Sequence, residues 1–568
     1  MTLSLPVSLA SAPARPEPIP AAGAVVRALA ELGVDTFYGI PGGAISPVYD
    51  AILDQPGLRV IHNRQETGAV FAAMGHRRSG GSLPCVLVTS GPGIINAITG
   101  LAAAHADGVP LIVLAGEVPR KSFGRGALQE GSRYGLDVLS MVRSVTKLAA
   151  EITHPRLAAA MIRKAVDAAL SGRQGPVVLT LPLDVANDHA PMMSLSLAEP
   201  PPPALDPAAV QRFADALESA RRGLILVGSG ARDPGAARAV MAIASTLQMP
   251  VATTPKAKGV FPESHPLSLG VYGLAGHPSA SSYLGAGVDT LLAIGCGFGE
   301  NATNGWSQAI AASRAFLQID IDPAQIGKNY AVDQALCGPA QTVLEAVAQR
   351  LRRGPAAQAS FGVRYDDAEA MTADTTPLKP AHVVRRLQET FPRDTVFTVD
   401  IGEHNLFAVH YLKIDDPRRF LAAVGLGSMG SGVGAAVGAK LANPDKPVLA
   451  IVGDYGFQMQ GSELAACVDH RIGAVFAIFN DSRMRMVESG MRRIYGRHVP
   501  MHAPAIDFAA LARAVGAEGY NLRTPEDFDR LPADLAYRDL PVVLDIAIDP
   551  GASFATNTRV AHLRNFKA

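Results

Sequence analysis

The chain has 568 residues, a formal net charge of zero and a pI near 7.3, with 48% of its residues hydrophobic and 18% charged. That length exceeds a single core and predicts about three domains, while the balanced charge leaves no global field to recruit nucleic acid or an anionic membrane surface. The four cysteines form no CxxC pair, which fits a reduced, cytoplasmic setting, and no apolar run reaches the roughly 20 residues of a membrane-spanning helix.

In chain order, residues 1–20 lack a basic leader and are interrupted by Pro6, so they read as a disordered tail. Two breaks follow, the proline-rich PMMSLSLAEPPPPALDP (191–207) and the polar, irregular RRGPAAQASFGVRYDDAEAMTADTTPLKP (352–380). They delimit domains over 21–190, 205–352 and 378–550, with a C-terminal tail over 551–568. Each domain alternates short apolar runs with Ala/Leu-rich stretches at helical spacing. The runs are PCVLVTSG, PLIVLAGEVP and GPVVLTLP, then GLILVGSG, TLLAIGCG and FLQIDIDP, then TVFTVDIG, KPVLAIVGD and AVFAIFND. Runs that stay apolar without alternation predict parallel strands covered on both faces, so the fold class is α/β with three doubly wound parallel-sheet domains. Ligands of such sheets bind beyond the carboxyl ends of the strands.

In the last domain Asp454 ends the run VLAIVG and Asp481 ends AVFAIFN, 27 residues on. A strand–loop–helix–strand unit of that length brings both carboxylates to one sheet edge. Either Asp alone reads as a helix or turn cap. The pair suits Mg²⁺, which takes one or two carboxylates and completes its shell with phosphate oxygens, carbonyls and water. Upstream, GLGSMGSGVGAAVGAK (425–440) offers backbone N–H groups to an anion ahead of a helix start, although Gly/Ala-rich helices also serve close packing. Together these features describe a metal-bound diphosphate.

The segment GDYGFQMQGSELAACVDHRIGAVFAIFND resembles the signature of thiamine diphosphate-dependent enzymes, and the chain from Ala21 to about Asp549 resembles their acetolactate (acetohydroxyacid) synthase branch. The matching stretches include YGIPGGAISPVYDAI, RQETGAVFAAMGHRRSGG, VLVTSGPGIINAITGLAAAHADGVPLIVLAGEVP, IDIDPAQIGKN, DIGEHN and GLGSMGSGVGAAVGAKLA. The resemblance implies that Glu66 is the catalytic carboxylate that activates the cofactor's aminopyrimidine; the small residues Thr67, Gly68, Ala69, Ala72 and Ala73 around it suggest close packing. It implies metal ligands at Asp454, Asp481 and the carbonyl of Arg483. Met429 is implied as the apolar prop of the bent cofactor. Further cofactor contacts fall at Gly91, Asn96, Gly402, His404, Gly427, Gly453, Tyr455, Gly456 and Met486. Gly42, Gly43, Gln129 and Gly490 line the substrate pocket, Gln129 being the second catalytic candidate.

The chain departs from the family's pattern in four respects, the last of which concerns the substrate and involves two positions. Tyr455 stands where Gly is common and Asp481 where Asn is usual. Glu403 replaces a typical Gln, and a carboxylate there repels a diphosphate unless it is protonated or turned away. Gly490 stands where a tryptophan often narrows the acceptor pocket, and Leu183 where a lysine is frequent, so the acceptor is expected to be larger or more apolar than pyruvate. FAD is left open, because the Gly228-Ser229-Gly230 turn survives while the later arginine-containing segment is GCGFGENATN.

The resemblance further implies a homodimer or homotetramer, with the first domain of one chain facing the third of another. It implies carboligation of a 2-oxo acid with a carbonyl acceptor. A decarboxylase or other lyase remains as an alternative, weakened by the absence of an HH pair. A cofactor-binding but non-catalytic homologue is the other, motivated by Tyr455, Glu403 and Arg485.

Overall fold

A computed structural model describes residues 18–191, 193–196, 204–352 and 359–554. Three six-stranded parallel sheets succeed one another along the chain. The first contains β1 (Thr36–Gly39), β2 (Arg59–His62), β3 (Cys85–Val88), β4 (Ile112–Glu117), β5 (Leu148–Glu151) and β6 (Val177–Pro182), in the spatial order β2-β1-β3-β4-β6-β5. The second contains β7 (Gly223–Val227), β8 (Val251–Thr253), β9 (Ser268–Val271), β10 (Thr290–Ile294), β11 (Ala315–Asp320) and β12 (Gln334–Cys337), ordered β9-β8-β7-β10-β11-β12. The third contains β13 (Val396–Val399), β14 (Phe420–Ala422), β15 (Val448–Gly453), β16 (Val475–Asn480), β17 (Glu518–Leu522) and β18 (Val542–Ala547), ordered β14-β13-β15-β16-β18-β17. First and third domains therefore share one winding and the middle domain has another. All nine apolar runs lie on strands, and their side chains are buried on both faces because helices cover the sheets.

The two ends of the chain differ from the expected tails. Residues 1–17 and 555–568 lie outside the described residues. Ile19–Pro20 form a two-residue antiparallel ladder with His189–Ala190. Phe554 is buried, its N–H donating to Glu403 Oε1 at 2.8 Å and its ring meeting Phe407 and His410 edge-on. The proline-rich and polar breaks fall partly outside the description, at 192, 197–203 and 353–358.

One hydrophobic core continues from the first domain into the third. It is built by helix α1 (Glu66–Arg78) lying on helix α4 (Ser431–Ala442), while α2 (Pro92–Asp107) packs on the other side of α1 and α3 (Glu403–Tyr411) follows β13. Every residue of α1 from Glu66 to His76 is buried. The approach is close enough that a Cβ on Gly434 would lie 2.6 Å from Phe71 Cβ, and one on Gly438 would overlap the Ala72 carbonyl. The helical half of the glycine-rich segment thus serves packing, and only its loop half, 425–430, is free to face a ligand.

The middle domain is docked onto the third by buried polar groups. Lys258 Nζ lies 2.6 Å from Glu263 Oε1, and Glu263 Oε2 accepts from the Ile414 N–H at 2.8 Å. His277 stacks on His410 with ring centroids 4.9 Å apart. Arg232 donates to the carbonyls of Lys256, Pro417 and Phe420. Among the described residues no helix is long and apolar enough to cross a membrane.

Candidate functional site

In the third domain the strand order turns back between β13 and β15, and this is where a doubly wound sheet opens a crevice. Gly402-Glu403-His404 leave β13 and Gly453-Asp454 leave β15. Gly453 is paired with Phe479 of β16, so Asp454 and Asp481 emerge side by side just beyond that register. Two short helices, α5 (Asp454–Gln460) and α6 (Glu463–Asp469), fill the interval where one had been expected. The Tyr455 N–H donates to Asp454 Oδ1 at 2.8 Å, and the N–H groups of Ser482 and Arg483 also face that carboxylate. Asp454 Oδ2 is buried without a partner. Burial first, and then the charge of Asp481, pushes the Asp454 carboxyl up to about 6. A carboxylate pair arranged in this way could hold a cation.

Asp481 is itself raised by burial, and the Arg485 guanidinium opposes that shift. Arg485 opens helix α7 (Arg485–Tyr495), its Nε 2.5 Å from Asp481 Oδ2 and 4.0 Å from Glu403 Oε2. Glu403 is turned toward the chain's last described residues: Oε1 accepts from Ser553 Oγ at 2.9 Å and from the Phe554 N–H, while Oε2 has no partner. Burial pushes its carboxyl upward. The repulsion expected of this residue is thereby reduced by orientation and by the nearby arginine. His404 is lodged against Gly453, where a Cβ would lie 2.9 Å from its Cε1; its Nε2 is unpartnered, and burial holds the ring down to about 4.

The other third-domain candidates surround this group. Gly427 has φ +82° in an open loop, and Met429 and Tyr455 are half-buried. Met486 packs against the third-domain core. A Cβ on Gly456 would lie 2.2 Å from Asp400 Oδ2. Arg483 stands two residues past Asp481, with its guanidinium 3.9 Å from Glu488. Gly490 is partly buried on α7, and a side chain there would meet nothing within 4 Å.

The first domain repeats the geometry at its own switch point, between β1 and β3. Gly42 and Gly43 follow β1, and Thr89-Ser90-Gly91 follow β3. A Cβ on Gly42 would lie 2.6 Å from Thr89 Cβ, whereas Gly43 faces open space. Gly91 has φ +58°, and its Cα approaches Gln129 so closely that a Cβ would be 2.9 Å from the Gln129 carbonyl oxygen, a conformation and a contact that only glycine accommodates. Gln129 itself has φ +64°. Asn96 Nδ2 donates to Glu66 Oε2 at 3.1 Å, and the hydroxyls of Thr89 and Ser90 are buried without partners.

Two half-sites result. Glu66, Asn96, Gly91, Gln129 and Gly42 gather in the first domain; Gly402, His404, Gly453, Asp454, Gly456 and Asp481 gather in the third. Among the described residues no hydrogen bond or ion pair joins one group to the other, and no cluster of three or more His, Cys, Asp or Glu forms a metal site by itself.

Three contributing residues escaped the sequence reading. Asp400 caps α4 by accepting from the Gly430 and Gly432 N–H groups and from Ser431 Oγ, although it sits inside the quoted DIGEHN. Glu117, at the end of β4, accepts from the Gly131 N–H at 3.1 Å and so holds the loop after Gln129. Glu463 reaches from the third domain into the first. All three act across long stretches of chain, for which a local motif gives no signal.

Three family models match the chain in order: the thiamine pyrophosphate enzyme N-terminal TPP binding domain over residues 20–137, the central domain over 210–347 and the C-terminal TPP binding domain over 400–546. The chain belongs to the thiamine pyrophosphate enzymes. Its similar relatives include a probable acetolactate synthase large subunit from Methanocaldococcus jannaschii, 34% identical over 550 residues that cover 93% of this chain and 92% of that one. An acetolactate synthase from Arthrospira platensis is 32% identical, covering 92% and 93%. The acetolactate synthase isozyme 3 large subunit of Escherichia coli is 32% identical, covering 89% and 90%. As in other thiamine pyrophosphate enzymes matched by these models, the first and last domains of this chain are the cofactor-binding ones.

The middle domain of this thiamine pyrophosphate enzyme arranges its strand ends differently from the two cofactor-binding domains. Its switch point is filled turn on turn, since a Cβ on Gly228 would lie 2.2 Å from the Gly295 carbonyl oxygen. Arg232 is spent on main-chain carbonyls, and Phe298 is buried against Phe316 and Tyr330.

Proposed function

We propose that this chain is a thiamine diphosphate-dependent carboligase of the acetolactate synthase type, which decarboxylates a 2-oxo acid such as pyruvate and joins the remaining fragment to a second carbonyl compound. The observation that carries this reading is the buried acidic pair, Asp454 beside Asp481, with an unpartnered carboxylate oxygen at the switch point of the third sheet.

The residues present fit a diphosphate held through Mg²⁺. A buried carboxylate oxygen without a donor is costly, and a divalent cation relieves both that cost and the repulsion between the two acids. Asp454, Asp481 and the Arg483 carbonyl are its protein ligands in this reading, with Gly402, His404, Gly427, Gly453, Tyr455 and Gly456 around the diphosphate and Met429 and Met486 on the apolar side. Bound thiamine diphosphate would supply a thiazolium ring whose acidic carbon is the nucleophile and whose cationic nitrogen is the electron sink for decarboxylation. Glu66, oriented by Asn96, holds and returns a proton at its carboxylate on the ring side. Gly42, Gly43 and Gln129 face the substrate, and the free space at Gly490 supports an acceptor larger than pyruvate.

The assembly in this reading is a homodimer or a homotetramer, in which a second copy brings its third domain to the first domain of its neighbour. Exposed apolar side chains support it, because they adjoin both half-sites: Ile95 and Leu128 beside Asn96 and Gln129, Leu426 and Val487 beside Gly427 and Met486. Among the described residues no hydrogen bond or ion pair joins the half-sites within one chain, which agrees with it.

Arg485, seated on Asp481, favours a second reading in which the chain holds cofactor without turning over. Incubating the purified protein with Mg²⁺, thiamine diphosphate, pyruvate and a panel of aldehydes and 2-oxo acids, followed by mass spectrometry, separates the cases. An acyloin product is expected. Aldehyde alone would make the protein a decarboxylase, and no product with cofactor bound would favour the non-catalytic reading.

A further inference from the structure

We propose that Glu463 is a positioning residue for Glu66, setting from the third domain the backbone on which the first-domain carboxylate is presented. This rests on the catalytic role proposed for Glu66. Helix α1 begins at Glu66, and the residue before it, Gln65, is extended and supplies no side-chain cap. The cap comes instead from 398 residues away. Glu463 Oε1 accepts from the N–H groups of Arg64 and Gln65 at 3.0 and 3.1 Å, and Oε2 accepts from Asn63 Nδ2 at 2.8 Å.

The grip is closed on every side. Asn63 is tied to the end of β1, its Oδ1 accepting from the Gly39 N–H at 3.2 Å and its own N–H donating to the Gly39 carbonyl. Gln460, one turn before Glu463, donates through Nε2 to Gln65 Oε1. Gly68 has no side chain where one would stand 2.4 Å from Glu463 Oε1. Glu463 itself is fully buried. A charged acceptor of three hydrogen bonds holds its donors harder than a neutral one, and an anion beside the start of α1 also complements the helix dipole. Glu66 is therefore fixed twice, its carboxylate by Asn96 and its backbone by Glu463. Small displacements of a catalytic group cost rate without costing binding.

The test uses the full chain with Mg²⁺ and thiamine diphosphate and reads hydrogen–deuterium exchange at the thiazolium carbon by quenched-flow NMR, beside kcat, KM and cofactor affinity. Glu463→Gln is expected to slow exchange and kcat together by about 10- to 100-fold, with KM and cofactor affinity changed less than about 3-fold. Asn63→Asp, which sets two carboxylates against each other, is expected to be as slow. Combining both substitutions exchanges donor and acceptor: the amide nitrogen introduced at 463 donates to the carboxylate introduced at 63, the amide oxygen keeps Arg64 and Gln65, and the second carboxylate oxygen keeps Gly39. The double variant is expected to recover to within about 3-fold of the parent.

Parent-like exchange in Glu463→Gln, or a folded double variant that stays slow, overturns the proposal while leaving the function intact. If the parent protein fails to accelerate exchange at all, the functional reading falls first and this one with it. Should Glu463→Gln alone not fold, the double variant decides.

Discussion

The middle domain and the two outer domains are made of the same material, six parallel strands covered by helices, but they treat their switch points in opposite ways. In the outer domains the turns stand apart and leave buried polar atoms without partners, Thr89 and Ser90 in the first and Glu403, His404 and Asp454 in the third. In the middle domain Gly228 and Gly230 lie directly on Gly295 and Arg232 and Glu263 are spent on docking to the third domain, although Thr253 Oγ1 at the end of β8 also stays buried without a partner. Unpartnered buried groups that converge on one open switch point are ones that a ligand can satisfy. The contrast separates a sheet whose switch point is filled from the two TPP-binding sheets, which share a winding and leave theirs open.

The largest effect that would test this division is at Glu66. Glu66→Gln is expected to lower turnover by about 10² to 10⁴-fold while cofactor retention, followed by calorimetry, stays within several-fold; parent-like turnover would remove the first domain from the chemistry. Asp454→Asn is expected to weaken Mg²⁺-dependent cofactor binding by about 100-fold, or roughly 3 kcal/mol, in the same calorimetric titration. Unchanged affinity would mean that the orphaned oxygen is not a ligand.

For the middle domain the expectation is a cost in stability alone. Gly228→Ala forces a methyl against the Gly295 carbonyl and should cost about 1–3 kcal/mol in urea unfolding, with little effect on cofactor affinity in the folded protein. An effect on affinity larger than the effect on stability would show that this switch point does carry a ligand.

The docking of the middle domain predicts a pH dependence. The Val271 N–H donates to His277 Nδ1 at 2.8 Å and the Asp366 N–H donates to His410 Nε2 at 2.9 Å, so each ring keeps one nitrogen unprotonated. Each remaining nitrogen faces a carbonyl, His277 Nε2 that of His410 and His410 Nδ1 that of Ala275. Burial lowers both histidines, and the facing Lys258 charge adds to it, opposed at His410 by Asp366. Below about pH 6.5 the unfolded chain takes up protons that the folded chain refuses. Stability is thus complete above that pH and lost as pH falls beneath it, by up to about 1.4 kcal/mol per histidine per unit. Urea midpoints at pH 7.5 and 5.5 should differ accordingly, and a flat profile would mean that the histidines do not bear on docking. The smallest change is expected for Gly490→Trp, which has room for a ring: stability within about 0.5 kcal/mol, but a narrower range of acceptors in the product screen. An unchanged range would show that position 490 does not face the pocket.

Much of the two half-sites was legible because their residues follow strands directly. Asp454, Asp481, Gly402 and Gly91 are each placed within a few residues of an apolar run, and the hydrogen-bonded register of parallel strands then fixes which ends adjoin. Glu463, Glu117 and Asp400 were not legible. Each acts through backbone N–H groups that are distant or unremarkable in sequence, and backbone donors leave no mark in a string of side chains. The glycine-rich segment was legible only in part, since Gly434 and Gly438 answer to α1 rather than to an anion.

By itself the sequence determined the three parallel sheets, nine of their eighteen strands and the acidic edge of the last one, since hydrophobic runs and turn residues act over short distances. Only the tertiary structure decided that α1 and α4 fuse two domains into one core, that the middle switch point is filled, that Glu403 is turned onto Ser553 and Phe554, and that Glu463 holds the start of the helix bearing Glu66. Those outcomes depend on which backbones approach within a few ångströms after folding, and that is set by the whole packed surface rather than by any one stretch of chain.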